Sequence, residues 1–155
     1  MIGRPRQPVR RHRDGFVLDL DADERHLLRR LLGEVRDLVT TAPIGDAKMQ
    51  RLFPPAYTDD AEGEADYQRL MREELVASRL ASIEVVDSIL REDDARVMTS
   101  AEVDAFAQNL NAVRLILGTL LNVGEDDDDS ESPEFALYQF LSWLVDCAIT
   151  ALMRS

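Results

Sequence analysis

The sequence predicts an all-α protein: an antiparallel bundle of four main helices, with a short extra helix and a short strand or extended lead-in near the N-terminus. Three observations carry this. Leu, Ala, Glu, Asp and Arg dominate the 155 residues while aromatics make up 6%, a mixture that favours helix over strand. Apolar residues recur at steps of three and four along the long stretches, as they must to line one face of a helix. Those stretches are bounded by residues that start or stop helices. No internal repeat and no second domain is visible, so residues 15–155 are expected to form a single helical domain.

Residues 1–14, rich in Arg and Pro, predict a disordered basic arm. Phe16-Val-Leu-Asp-Leu20 follows as the strand or lead-in. Asp21 with Glu24 three residues later has the form of a capping box. The helix it opens shows Leu27, Leu28, Leu31, Leu32, Val35, Leu38 and Val39 on one face. A turn of helix around Ala47–Leu52 is stopped by Phe53-Pro-Pro55. Asp59 or Asp60 then begins a helix reaching about Arg91. Thr99-x-x-Glu102 is a second capping box, and behind it Val103, Phe106, Leu110, Val113, Leu117 and Leu120 form a stripe. Ser132 as cap and Pro133 as first residue open the last helix.

Charge is distributed unevenly. The net charge is −12, yet Arg4, Arg6, Arg10, Arg11 and Arg13 put +5 on residues 1–13, leaving −17 on the remainder. An acidic body repels nucleic acid, so contact with a phosphate backbone would fall to these five arginines. Without interleaved aromatics they would supply only weak, salt-sensitive, sequence-independent attraction; a free terminal tail is the alternative. The single cysteine, Cys147, excludes an internal disulfide and suits a reducing cytoplasm. No apolar segment of signal-peptide length follows the N-terminal charges, and the cytoplasm is the expected location.

Helical wheels place Glu74 among Tyr67, Leu70, Met71, Ala77, Ala81 and Val85, and Arg114 among Ala107, Leu110, Leu117 and Leu121. Glu74 lies 21 residues before Ala95 and Arg114 lies 19 after it, so a hairpin turning there sets them at similar heights. This predicts a partly buried Glu74–Arg114 ion pair with Asn111 as third member, since an unpaired buried charge is costly. A device fixing helix register and a functional polar pocket are the two roles such a pair could have.

The last helix is apolar nearly all round, Asp146 being its only formal charge from Phe135 to Met153. Phe135, Tyr138, Leu141, Val145, Ile149 and Leu152 share one face; Phe140, Trp143 and Cys147 lie opposite. Such a helix is central to a core, spans a membrane or meets a partner. Gln139, Ser142, Asp146 and Thr150 argue against a bilayer span. The core reading and a homodimer contact through Phe140, Trp143 and Cys147 both remain. Apolar surroundings would keep Cys147 an inert thiol.

Neither catalytic nor cofactor chemistry is predicted. The run Glu125-Asp126-Asp127-Asp128-Asp129-Ser130-Glu131 does not fit a calcium loop. With Asp126 as position 1, Glu131 falls where Gly is needed and Leu137 where Glu is needed. His12 and His26 do not follow Glu at the spacing of a two-metal bundle site. The scattered glycines form no phosphate loop, and no nucleophile with a base can be assembled. Catalytic and metal residues are thus expected to be none.

Several segments resemble the actinobacterial AosR-like family, relatives of an oxidation-sensing transcriptional regulator. These are Arg51-Leu-Phe-Pro-Pro-Ala-Tyr57, Glu73-Glu-Leu75, Leu110-Asn111-Ala-Val-Arg114-Leu-Ile-Leu-Gly118-Thr and Leu137-Tyr-x-x-Leu141-x-Trp143-Leu, and the likeness extends from about Phe16 to Met153. The resemblance implies a bacterial cytoplasmic protein with a role in transcription during oxidative stress. It also implies a gene neighbourhood near the protease adaptor ClpS, hence an adaptor-like alternative. The redox-sensing form of the family uses a close pair of cysteines, which Cys147 alone cannot supply. The expectation is a non-enzymatic regulator acting through protein partners such as the transcription machinery, with DNA contact weak or indirect.

Overall fold

The computed structural model describes residues 6–42, 46–54, 59–91, 96–121 and 132–154. Two strands, β1 (Val9–His12) and β2 (Gly15–Leu18), precede α1 (Ala22–Thr41) and the short α2 (Ala47–Leu52). Then come α3 (Ala61–Arg91), β3 (Val97–Met98), α4 (Ser100–Leu121) and α5 (Pro133–Met153). The four long helices form the expected bundle. Cross-links show that neighbours run antiparallel: Arg29 and Arg36 of α1 reach Asp87 and Glu84 of α3 in reverse order. Between α4 and α5, Gly118 meets Tyr138 and Arg114 meets Ser142.

Each helix begins as its sequence dictates. The Asp21 side chain accepts from the Glu24 backbone N–H, and the Glu24 carboxylate accepts from that of Asp21. Thr99 and Glu102 repeat the arrangement at the start of α4. Ser132 accepts from the Phe135 N–H behind Pro133. Such caps satisfy N–H groups that have no partner within the helix.

The core joins Leu28, Leu32, Val35 and Val39 of α1, Ile83, Val86 and Leu90 of α3, Val103, Phe106 and Leu110 of α4, and Leu141 and Leu144 of α5. Met49 of α2, Phe16 of β2 and Met98 of β3 close it. α5 is the one described helix with the length and apolar composition of a bilayer span. Here it packs against α4 and β1, burying Leu141, Leu144, Val145, Ala148 and Ala151.

The N-terminal segment departs from expectation. The predicted disordered arm over 1–14 does not hold for Val9–His12, which form β1. Val9 pairs across from Leu18 and is 5% exposed, and the Asp19 N–H donates to the Pro8 carbonyl at 2.7 Å. Burial of one apolar residue and a paired backbone thus outweigh the polar composition. The predicted strand over 16–20 ends at Leu18 and becomes the centre of an antiparallel sheet in the order β1-β2-β3. Gly15 is required there: a Cβ would lie 2.3 Å from the Met98 carbonyl oxygen.

Arg25, unremarked in the sequence, is 6% exposed. Its Nε donates to the Leu20 carbonyl and Nη2 to that of Leu18, each at 3.0 Å, and Nη1 to that of Ile89 at 3.3 Å. Ile89 lies in the last turn of α3, where carbonyls lack helical partners and a cation is favoured. Arg25→Met should keep the bulk of the side chain while stranding these carbonyls. At about 1–3 kcal/mol for a buried unsatisfied group, a loss of roughly 3 kcal/mol or more is expected. Urea denaturation followed by circular dichroism measures it, with Leu27→Ala as a partly buried control on the same helix.

Candidate functional site

Two of the residue sets singled out in the sequence meet in one place. β1 lies along the C-terminal half of α5, and a groove of about 300 Å³ separates them. Gln7, Val9, Arg10 and Arg11 form one wall; Asp146, Cys147, Thr150, Ala151 and Arg154 form the other. The arginines come from the segment expected to be a disordered arm, and Cys147 from the face for which core packing and a homodimer contact were both open. The alternation of β1 sends Arg10 to one side of the strand and Val9 and Arg11 to the other.

The five arginines have different fates. Arg6 is held by Glu24, one of the contacts being Nη1 to Oε2 at 2.8 Å. It also donates to the Asp19 carbonyl and lies 5.7 Å from the Trp143 ring. The Arg11 guanidinium covers the Phe16 ring at 5.1 Å. Arg10, Arg11 and Arg13 are exposed. Arg4 lies outside the described residues, as do the acidic run 125–131 and Pro55 to Tyr57.

Phe140 and Trp143 are partly buried against the core, their rings 6.0 Å apart. Trp143 therefore has Arg6 of its own chain over it. Cys147 is half-buried; burial first, and then the neighbouring Asp146 charge, push its thiol pKa up. The groove arginines do not reverse that direction. At the entry to β1, the Arg6 hydrogen bond is the main cause holding the Glu24 carboxyl below its ordinary range.

The predicted Glu74–Arg114 pair does not form. Glu74 is exposed, whereas Arg114 donates to Asn111 at 2.6 Å and to Ser142 of α5 at 3.5 Å. Asn111 thus stands beside Arg114, but the acid is missing, and among the described residues the Nε of Arg114 is buried without a partner. The error is rotational: the sector holding Ala77, Ala81 and Val85 faces solvent, with Leu70 76% exposed. The opposite sector carries Leu75, Val76, Leu80, Ile83 and Val86. Burial gain scales with apolar area, so these larger side chains decide the orientation.

A different polar contact joins α3 to α4. Asn109 is 1% exposed; its Nδ2 donates to Ser82 at 2.7 Å and to the Ala105 carbonyl at 2.8 Å. Its Oδ1 accepts from Arg79 at 3.3 Å, and desolvation lowers the Arg79 pKa. The sequence hid this site because Asn109 stands next to the Leu110 stripe. Asn109→Leu should cost about 1–3 kcal/mol by leaving Ser82 and Arg79 without their partner, while Glu74→Ala should stay within about 0.5 kcal/mol. Urea midpoints of the two variants test the reassignment.

The Arg6–Glu24 contact gives a pH prediction. A carboxyl with a lowered folded pKa contributes stability that is complete above its unfolded pKa and is lost as pH falls through the folded one. Acidification below the ordinary glutamate range should therefore loosen the hairpin from α1. Glu24→Gln should shrink the difference between urea midpoints at neutral and acid pH; an unchanged difference would show that Glu24 carries none of it.

Comparison with known proteins places these features in a lineage. The chain is 25% identical over an alignment of 173 residues to the candidate oxidative stress regulator AosR of Mycobacterium leprae (strain TN), covering 84% of this chain and 77% of that one. No solved structure matches. Residues 6–152 match the DUF2017 family, a region that holds the hairpin, α1, α3, α4, all but the last residue of α5, and every groove residue but Arg154: the chain belongs to this family, a domain of unknown function.

Proposed function

We propose that the protein is a non-enzymatic, transcription-associated regulator of the cytoplasm that works through protein partners, with parts of the transcription machinery foremost and DNA contact weak or indirect. The observation that carries this reading is its similarity to AosR, whose name describes an oxidative stress regulator. The acidic body supports protein partners over nucleic acid. An intramolecular redox switch is left out, because the sequence holds one cysteine and burial suppresses its thiolate.

A second reading, an interaction or adaptor protein without a transcriptional role, is favoured by the outer face of α3. There Leu70 and Val85 stand 76% and 41% exposed.

Affinity capture from cells with the full chain, read by mass spectrometry, distinguishes the two. Removing residues 1–13 would delete β1, so the informative control is Arg10→Glu with Arg11→Glu, which keeps the strand. Recovery of RNA polymerase subunits or a sigma factor, repeated with purified components, is expected. Protease-adaptor components in place of polymerase would instead establish the adaptor reading.

A further inference from the structure

Among the described residues no strand lies beside the outer edge of β1, since the sheet order is β1-β2-β3. Arg13 and Asp14 alone join β1 to β2, so His12 and Gly15 close the hairpin as a hydrogen-bonded pair and Arg10 with Val17 form the next. The backbone N–H and C=O groups of Val9 and Arg11 therefore point outward, toward the groove that α5 borders. Unpaired edges of this kind are templates for another strand.

We propose that this groove binds an extended acidic segment of a partner protein as a fourth strand on β1. The inference deepens the protein-partner reading above and rests on it. Backbone pairing would come from Val9 and Arg11, and specificity from pockets that alternate along the added strand. Arg10, Arg11 and Arg154 supply the positive rim, while Val9 and Ala151 give an apolar floor. Carboxylates at alternate positions with a small apolar residue between them fit that pattern. β1 is four residues long, which limits the paired stretch to about 13 Å.

Two other occupants fit less well. A second copy adding its own β1 would set arginines against arginines, and like charges directly opposite destabilise a sheet. Nucleic acid would meet Asp146 within the groove itself and an otherwise acidic surface. Arg6, clamped to Glu24 at the entry to β1, holds the strand in place before any partner arrives, which lowers the ordering cost of binding.

The test uses the full chain and a fluorescein-labelled hexapeptide of alternating glutamate and valine. Anisotropy should show saturable binding, weakened at least about tenfold by Arg10→Glu with Arg11→Glu. The same peptide N-methylated at alternate amides keeps its charge but cannot pair as a strand, and should bind comparably poorly. Because Cys147 lines the groove, the unmodified peptide should also slow its alkylation by iodoacetamide. Equal binding of the methylated peptide, no protection of Cys147, or tighter binding with protection by a single-stranded oligonucleotide of equal charge would each overturn the proposal. If it fails while polymerase or a sigma factor is still captured, the partner reading stands and the groove is not its site. If the peptide binds and protects but no such partner is captured, the groove stands without the transcriptional reading.

Discussion

The buried guanidinium of Arg25 is the constraint on which the arrangement of the remaining elements depends. From the first turns of α1 it gathers the carbonyls of Leu18, Leu20 and Ile89, fixing the end of β2, the entry to α1 and the last turn of α3 to one point. A charge removed from water must be hydrogen-bonded to be tolerated. The planar fork of arginine can address several acceptors in fixed directions, as a lysine ammonium cannot. Once β2 is fixed, its two sheet neighbours follow: β3 because Phe16 and Val17 pair with Met98 and Val97, and β1 because Val9 faces Leu18.

The same chain of dependence reaches α5. β1 is held at its start by Arg6 between Glu24 and Trp143, so a residue of α1 and a residue of α5 are both coupled to the hairpin. The aromatic face of α5 is in this way partly covered from within the chain, while the stretch from Asp146 to Arg154 is left beside an open strand edge. Positive charge and an unpaired strand edge coincide at that end of the bundle.

Much of the fold was legible because helix signals are local. Asp21 and Glu24, Thr99 and Glu102, and Ser132 with Pro133 each announce a helix start within four residues, and each is realised. The α4 stripe was equally plain, with Val103, Phe106, Leu110 and Val113 all buried. The orientation of α3 was not, since alanines and two apolar residues make its solvent face look buried while its inner face hides behind Arg79 and Ser82. The hairpin has weak local signals: its two-residue loop is Arg13-Asp14, not the Asp-Gly or Asn-Gly that such turns favour, with Gly15 already in the strand. Val9 was the only apolar residue of the described segment 6–14 to hint at pairing. Of the candidate site, the arginines and Cys147 were recognised separately; that β1 and α5 meet is a tertiary fact with no local signature.

One consequence of the β1–α5 contact concerns the order of events in synthesis. The strand Val9–His12 is made before α5, the helix against which it rests. Until α5 is made, Arg6 lacks the indole of Trp143 and the groove has only one wall. The groove therefore exists only once α5 has been made, and products that stop before it lack one wall.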